Sequence, residues 1–151
     1  MDGMQTSWTL RLVFAGWVCA LMLVVGCRPK RPYGIERLGP VAEFLKPETY
    51  LERNQLLVRY DRGGLSAMST LCTKDLSPLV MERVGSKCEL VSPLNGSRYD
   101  CIGRVLNGPA KHNLPYYELL LAPGEYEQRV ADTLYVWIGK EKPPTWRLKI
   151  R

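Results

Sequence analysis

Short apolar runs separated by glycine- and proline-bearing turns fill the chain from Gly34 onward. That rhythm predicts an all-β sandwich or small barrel, because each run is strand-length and each break carries turn chemistry. Ile35–Leu38 reads as a first strand. Val41–Tyr50 is ambiguous between a helical turn and an extended crossing, with Pro47 against a long helix. Gln55–Tyr60 and Leu65–Leu71 flank Asp61-Arg62-Gly63-Gly64, a strong hairpin signal. Leu79–Arg83 and Cys88–Val91 are short strands around Gly85, and Ser97–Asp100 can pair back onto Leu90-Val91. Tyr116–Leu121 and Thr133–Ile138 are the clearest late strands, with turns expected at Pro123-Gly124 and Gly139-Lys140. Trp146–Ile150 alternates and is expected to close the sheet. The aromatic residues Tyr116, Tyr117, Tyr135, Trp137 and Trp146 are read as core and edge residues of strands rather than as a ligand cage.

The first fifth of the chain is different. Leu12–Val25 is an apolar run preceded by Arg11 and followed by Gly26-Cys27. Fourteen residues at ~1.5 Å each fall short of the roughly 30 Å hydrocarbon core, so a signal-peptide core is expected rather than a span. The small residue before Cys27 is similar to the lipobox of bacterial lipoproteins, in which the cysteine is acylated and becomes the first mature residue. The expected organisation is therefore a signal peptide over 1–26, a lipidated basic tether over 27–33 and a β domain over 34–151. Arg28, Lys30 and Arg31 would sit among lipid headgroups. Arg28, not an aspartate, follows Cys27, which points to the outer membrane, facing the periplasm, in a cell with two membranes. Asp2 and Arg11 are the only charges in 1–26, so the remainder carries the whole formal charge of +6. Such an excess favours anionic lipid or an acidic partner. The basic residues are scattered and form no nucleic-acid-binding motif, so no nucleic-acid partner is expected.

Two segments resemble the Rieske domain family. Gly63-Gly64-Leu65-Ser66-Ala67-Met68-Ser69-Thr70-Leu71-Cys72-Thr73 is similar to the strand leading into the family's Cys-Thr-His loop. Ser92-Pro93-Leu94-Asn95-Gly96-Ser97-Arg98-Tyr99-Asp100, followed by Gly103 and Gly108-Pro109-Ala110, is similar to its second cluster loop and proline loop. The resemblance runs over about residues 34–139 and implies a small antiparallel Rieske-type fold. That family holds a [2Fe-2S] cluster with two thiolates and two imidazoles. Carried over by position, the ligands fall on Cys72, Lys74, Ser92 and Asn95, of which Cys72 alone is a family ligand type. Ser97 and Tyr99 match residues that hydrogen-bond cluster sulfurs in the high-potential subgroup. Gly108 and Pro109 match the proline loop. The partner cysteines of the subgroup's disulfide are missing after Lys74 and at Leu94. The resemblance with these departures implies a Rieske frame without its own cluster and without a bound metal, acting as an interaction or structural module near membrane redox proteins. The alternative is a genuine electron-transfer protein whose [2Fe-2S] cluster is unusual or completed by a partner.

If Ser97–Asp100 pairs with Leu90–Ser92, extending that ladder brings Cys88 and Cys101 near each other on neighbouring strands, which predicts a disulfide; two reduced, packed cysteines are the alternative. Cys72 is then the odd thiol. A zinc site from Cys72, Cys88, Cys101 and His112 has no usual chelating spacing. His112 is the single histidine, and no catalytic constellation stands out.

Overall fold

The computed structural model describes residues 32–84, 87–126 and 129–150. The expected signal peptide and Cys27 lie outside the described residues. Ten strands follow in chain order: β1 Gly34–Pro40, β2 Thr49–Leu51, β3 Leu56–Asp61, β4 Gly64–Ser69 and β5 Val80–Val84 come first. They are followed by β6 Lys87–Val91, β7 Arg98–Asp100, β8 Val105–Asn107, β9 Tyr116–Tyr126 and β10 Arg129–Lys142. They form a six-stranded sheet, β1-β10-β9-β4-β3-β2, and a four-stranded sheet, β5-β6-β7-β8. Every pairing is antiparallel. The all-β antiparallel expectation holds.

The large sheet has two faces with different fates. One buries Phe44, Val58, Leu65, Ala67, Leu119, Leu134, Val136 and Ile138 in a first core. On the other, Leu57, Met68 and Tyr116 pack against Leu90, Tyr99 and Cys72, which come from the small sheet and its loops. The small sheet is thus fixed onto the β3–β4–β9 part of the large one.

Several boundaries differ from the sequence reading. Val41–Tyr50 splits into a 3-10 turn at Val41–Phe44 and the short strand β2. Pro123 and Gly124 do not turn the chain. They pair with Asp132 and Ala131 inside the β9–β10 ribbon. Proline is tolerated there because β4 pairs with β9 only at Tyr116 and Tyr117, leaving Pro123 with β10 on one side alone. Gly139-Lys140 is likewise a bulge within β10, not a turn, with the register jumping between Trp137 and Glu141. Gly139 has a φ of +94° and carries the bend. Trp146–Ile150 does not add a strand. It is bound by one bridge, with Leu65 N donating to Leu148 O at 2.9 Å and Leu148 N to Leu65 O at 2.8 Å. β8 has no clear sequence signal, since Val105-Leu106-Asn107 is too short to show a period.

The expected pairing of Ser97–Asp100 with the Leu90-Val91 run is observed between β6 and β7, and its register places Leu90 opposite Tyr99 and Glu89 opposite Asp100. One step further, Cys88 and Cys101 stand at disulfide distance with Cα atoms 5.5 Å apart. On the opposite side of the pair, Arg98 Nε donates to Glu89 at 2.7 Å and its NH2 reaches Glu82 at 3.1 Å, tying β5, β6 and β7 together.

Candidate functional site

Two six-residue loops meet at one end of the small sheet, and their backbones close in the same way. In Cys72–Ser77, Cys72 N donates to Ser77 O at 2.8 Å and Leu76 N to Cys72 O at 2.9 Å. In Ser92–Ser97, Ser92 N donates to Ser97 O at 2.8 Å and Gly96 N to Ser92 O at 2.9 Å. The fifth residue of each is left-handed: Leu76 at φ +61° and Gly96 at φ +72°. Glycine takes this conformation without a Cβ penalty, whereas leucine must be held in it by its loop. A Cβ at Gly96 would meet nothing within 4 Å. Gly96→Ala therefore isolates the backbone term and is expected to cost about 1 kcal/mol, read as a shift in denaturant midpoint. No loss of stability would contradict the left-handed assignment.

A third loop completes the cradle. Ala110 N donates to Ser97 Oγ at 3.1 Å. Gly108 lies so close that a Cβ there would come 2.5 Å from Ser97 Cα. Thr73 Oγ1 donates to His112 O at 2.8 Å, joining the first loop to the segment after Pro109.

Side chains knit the two main loops together. Cys72, with no solvent exposure, is the centre. Asn95 Nδ2 lies 3.3 Å from its Sγ and the Tyr99 hydroxyl 3.5 Å from it. The same Asn95 Nδ2 donates to Asp75 Oδ2 at 2.7 Å. Its Oδ1 accepts from Ser97 N at 2.9 Å, which fixes the amide so that its nitrogen faces Cys72 and Asp75. Asp75 Oδ1 accepts from Ser77 N at 3.0 Å and from Ser77 Oγ at 2.7 Å. Ser77 Oγ is 3.0 Å from Ser92 Oγ, which in turn accepts from Asn95 N at 3.3 Å. The Tyr99 hydroxyl accepts from Thr73 N at 3.1 Å and lies 3.0 Å from Thr73 Oγ1.

Charge follows these bonds. Burial pushes the Cys72 thiol up, but hydrogen bonds from Asn95, Tyr99 and the backbone of Lys74 and Asp75 outweigh it, leaving the thiol below its ordinary value. Burial also raises the Asp75 carboxyl. The Ser77 hydroxyl and N–H, with Asn95 and Cys72, more than reverse this and hold it below the usual carboxylate range. A depressed folded-state pKa means that Asp75's contribution is fully present above the unfolded carboxylate value of about 3.9 and is lost as pH falls through the lower folded value. Asp75→Asn should therefore flatten the acid limb of a plot of Tm against pH below about pH 4. An unchanged acid limb would show that Asp75 is not held ionised by this network.

The structure brings Cys72, Ser92 and Asn95 into one cluster, with Ser97 and Tyr99 behind them. Lys74 and Leu94 are exposed, Leu94 at 78%. Asp75 and Ser77 were not singled out by sequence reasoning. Their one signal was the Asp-x-Ser turn pattern, which is too common to point to a site.

A family model for the Rieske [2Fe-2S] domain matches residues 39–118, a stretch that contains all three loops of the cradle. The chain belongs to the Rieske [2Fe-2S] domain family. No curated protein matches it. Rieske domains coordinate their cluster with thiolate and imidazole, two of each. At the four positions to which the sequence resemblance carries those ligands, Cys72, Lys74, Ser92 and Asn95 offer a thiol, an amine, a hydroxyl and a carboxamide. The carboxamide turns its NH2 donor, not a lone pair, toward Cys72. The hydroxyl is bonded to Ser77. This donor set does not fit a Rieske cluster. Among the described residues no three His, Cys, Asp or Glu side chains converge as a metal site.

Proposed function

We propose that this chain is an exported, lipid-anchored Rieske-family domain that has exchanged its own cluster for a polar side-chain network and acts as an interaction or structural module beside membrane redox proteins. The observation that carries the reading is Asn95, whose amide lies between Cys72 Sγ and the Asp75 carboxylate. The network satisfies its own donors and acceptors, which buried polar groups require. Anchoring rests on the apolar run Leu12–Val25 followed by Gly26-Cys27 and the basic residues after it. The module has no redox step of its own, so its work is to present a rigid shape at the membrane.

Ligand restoration tests the exchange. Lys74→His, Ser92→Cys and Asn95→His together recreate the family's donor set around Cys72. Under identical anaerobic reconstitution with iron and sulfide, the wild-type chain should take up no cluster and the triple variant should gain the visible absorption of one. Stoichiometric cluster uptake by the wild-type chain would overturn the proposal, whatever the variant does.

A further inference from the structure

Part of the large sheet's outer face is not covered by the small sheet. The β1-β10-β9 register places Ile35 opposite Trp137 and Trp137 opposite Glu118. The next outward row is Arg37, Tyr135 and Leu120. Residues directly opposite in antiparallel strands share a face, and the intervening row, Val136 and Leu119, lies in the core. This row order therefore points outward. Ile35 is 57% exposed, and Tyr33, whose ring lies across Gly139 at the start of β1, is 80% exposed.

Cations frame this apolar surface. Lys140 Nζ sits 4.5 Å from the centre of the Trp137 ring. Glu118 is bound by Lys140 at 2.5 Å and Lys142 at 3.1 Å, so its charge is compensated within the face. Arg37 adds a further positive charge.

We infer that this face rests on an anionic bilayer surface; the inference deepens the anchored-module reading and rests on it for the origin of the tether. Aromatic side chains flanked by lysine and arginine suit the headgroup level, where a ring can be half-immersed while the cations meet lipid phosphates. Position in the chain selects the same occupant. Tyr33 is six residues from Cys27, so at no more than ~3.5 Å per residue the chain keeps this end of the sheet within roughly 20 Å of an acylated Cys27. In sequence, Arg28, Lys30 and Arg31 add three positive charges between Cys27 and Tyr33. Resting this way turns the β1-β10-β9 face to the membrane.

The test uses the full chain as matured by its host, reconstituted into phosphatidylcholine vesicles with and without phosphatidylglycerol, each with brominated acyl chains. Subtracting the signal of Trp137→Phe isolates Trp137 fluorescence. With phosphatidylglycerol present, Trp137 should be blue-shifted and quenched by bromine. Arg37→Gln/Lys140→Gln should shift the bound-to-free equilibrium of the face roughly thirty-fold toward free. Trp137 left unquenched on an acylated chain overturns the inference. A blue shift without bromine quenching, with a doubled mass in solution, also overturns it and assigns the face to a second copy of the chain. The mass of the N-terminal peptide reports acylation separately. If Cys27 is unmodified, the anchoring reading fails by itself. Bromine quenching on addition of phosphatidylglycerol vesicles would then still support the face, and its absence would overturn it.

Discussion

Tyr99→Phe is expected to destabilise the domain by about 2 kcal/mol while leaving its core volume almost unchanged. Tyr99 has no solvent exposure, and its ring packs with Leu57, Leu90 and Leu114. Phenylalanine keeps that packing and removes only the hydroxyl. The loss falls on three groups: Thr73 N, Thr73 Oγ1 and Cys72 Sγ. Thr73 Oγ1 retains the His112 carbonyl as a partner. Thr73 N, which is half-buried, loses its side-chain acceptor, and a donor left unsatisfied in this way costs about 1–3 kcal/mol when water cannot reach it. A second readout separates this from simple loosening. Tyr99 helps to lower the Cys72 thiol, so its removal should move the thiol's titration upward when followed by thiolate absorbance. A variant of full stability with an unshifted thiol would mean that the hydroxyl does not bridge the two sides of the cradle.

Replacing both Cys88 and Cys101 by serine is expected to cost about 3 kcal/mol. Their sequence separation of 13 closes a loop that contains the entire Ser92–Ser97 segment and β7. Reduced, the unfolded chain regains the freedom of that loop, which is the source of the penalty in the chain-entropy account. The folded network should persist, because none of its bonds involves either cysteine. Thermal unfolding of the wild-type chain with and without reductant should reproduce the difference seen with the double variant. Equal stability in all three would show that the pair makes no stabilising link. Two free thiols at these positions in the non-reduced chain would show the same directly.

The sequence was informative where local chemistry and pairing agree. The Asp61–Gly64 turn fixed one hairpin, and Asp61 is seen facing Gly64. The pairing of Ser97–Asp100 with the Leu90-Val91 run followed from strand-like segments flanking a Gly-Ser turn, and it carried the Cys88–Cys101 juxtaposition with it. It misled where turn residues serve a different purpose. Pro123-Gly124 and Gly139-Lys140 have turn composition, yet β9 and β10 pair through the first and bulge at the second. Only the partner strand decides between turn and bulge, and that is tertiary information. The cradle divides in the same way. Its loops were legible from Cys72-Thr73, Asn95-Gly96-Ser97 and Gly108-Pro109-Ala110. Its interior was not, because Asp75 and Ser77 gain meaning only when Asn95 and Ser92 arrive from the other loop. An asparagine could have been a surface residue of the loop tip, as Leu94 beside it is.

The central claim is that this Rieske-family cradle is filled by its own side chains rather than by iron and sulfide. It is tested most directly by isolating the chain anaerobically from membranes of its native host and measuring iron, acid-labile sulfide and the visible spectrum together. The account predicts a folded, colourless protein with neither element in stoichiometric amount. Two irons and two sulfides per chain with a Rieske-type spectrum would contradict it.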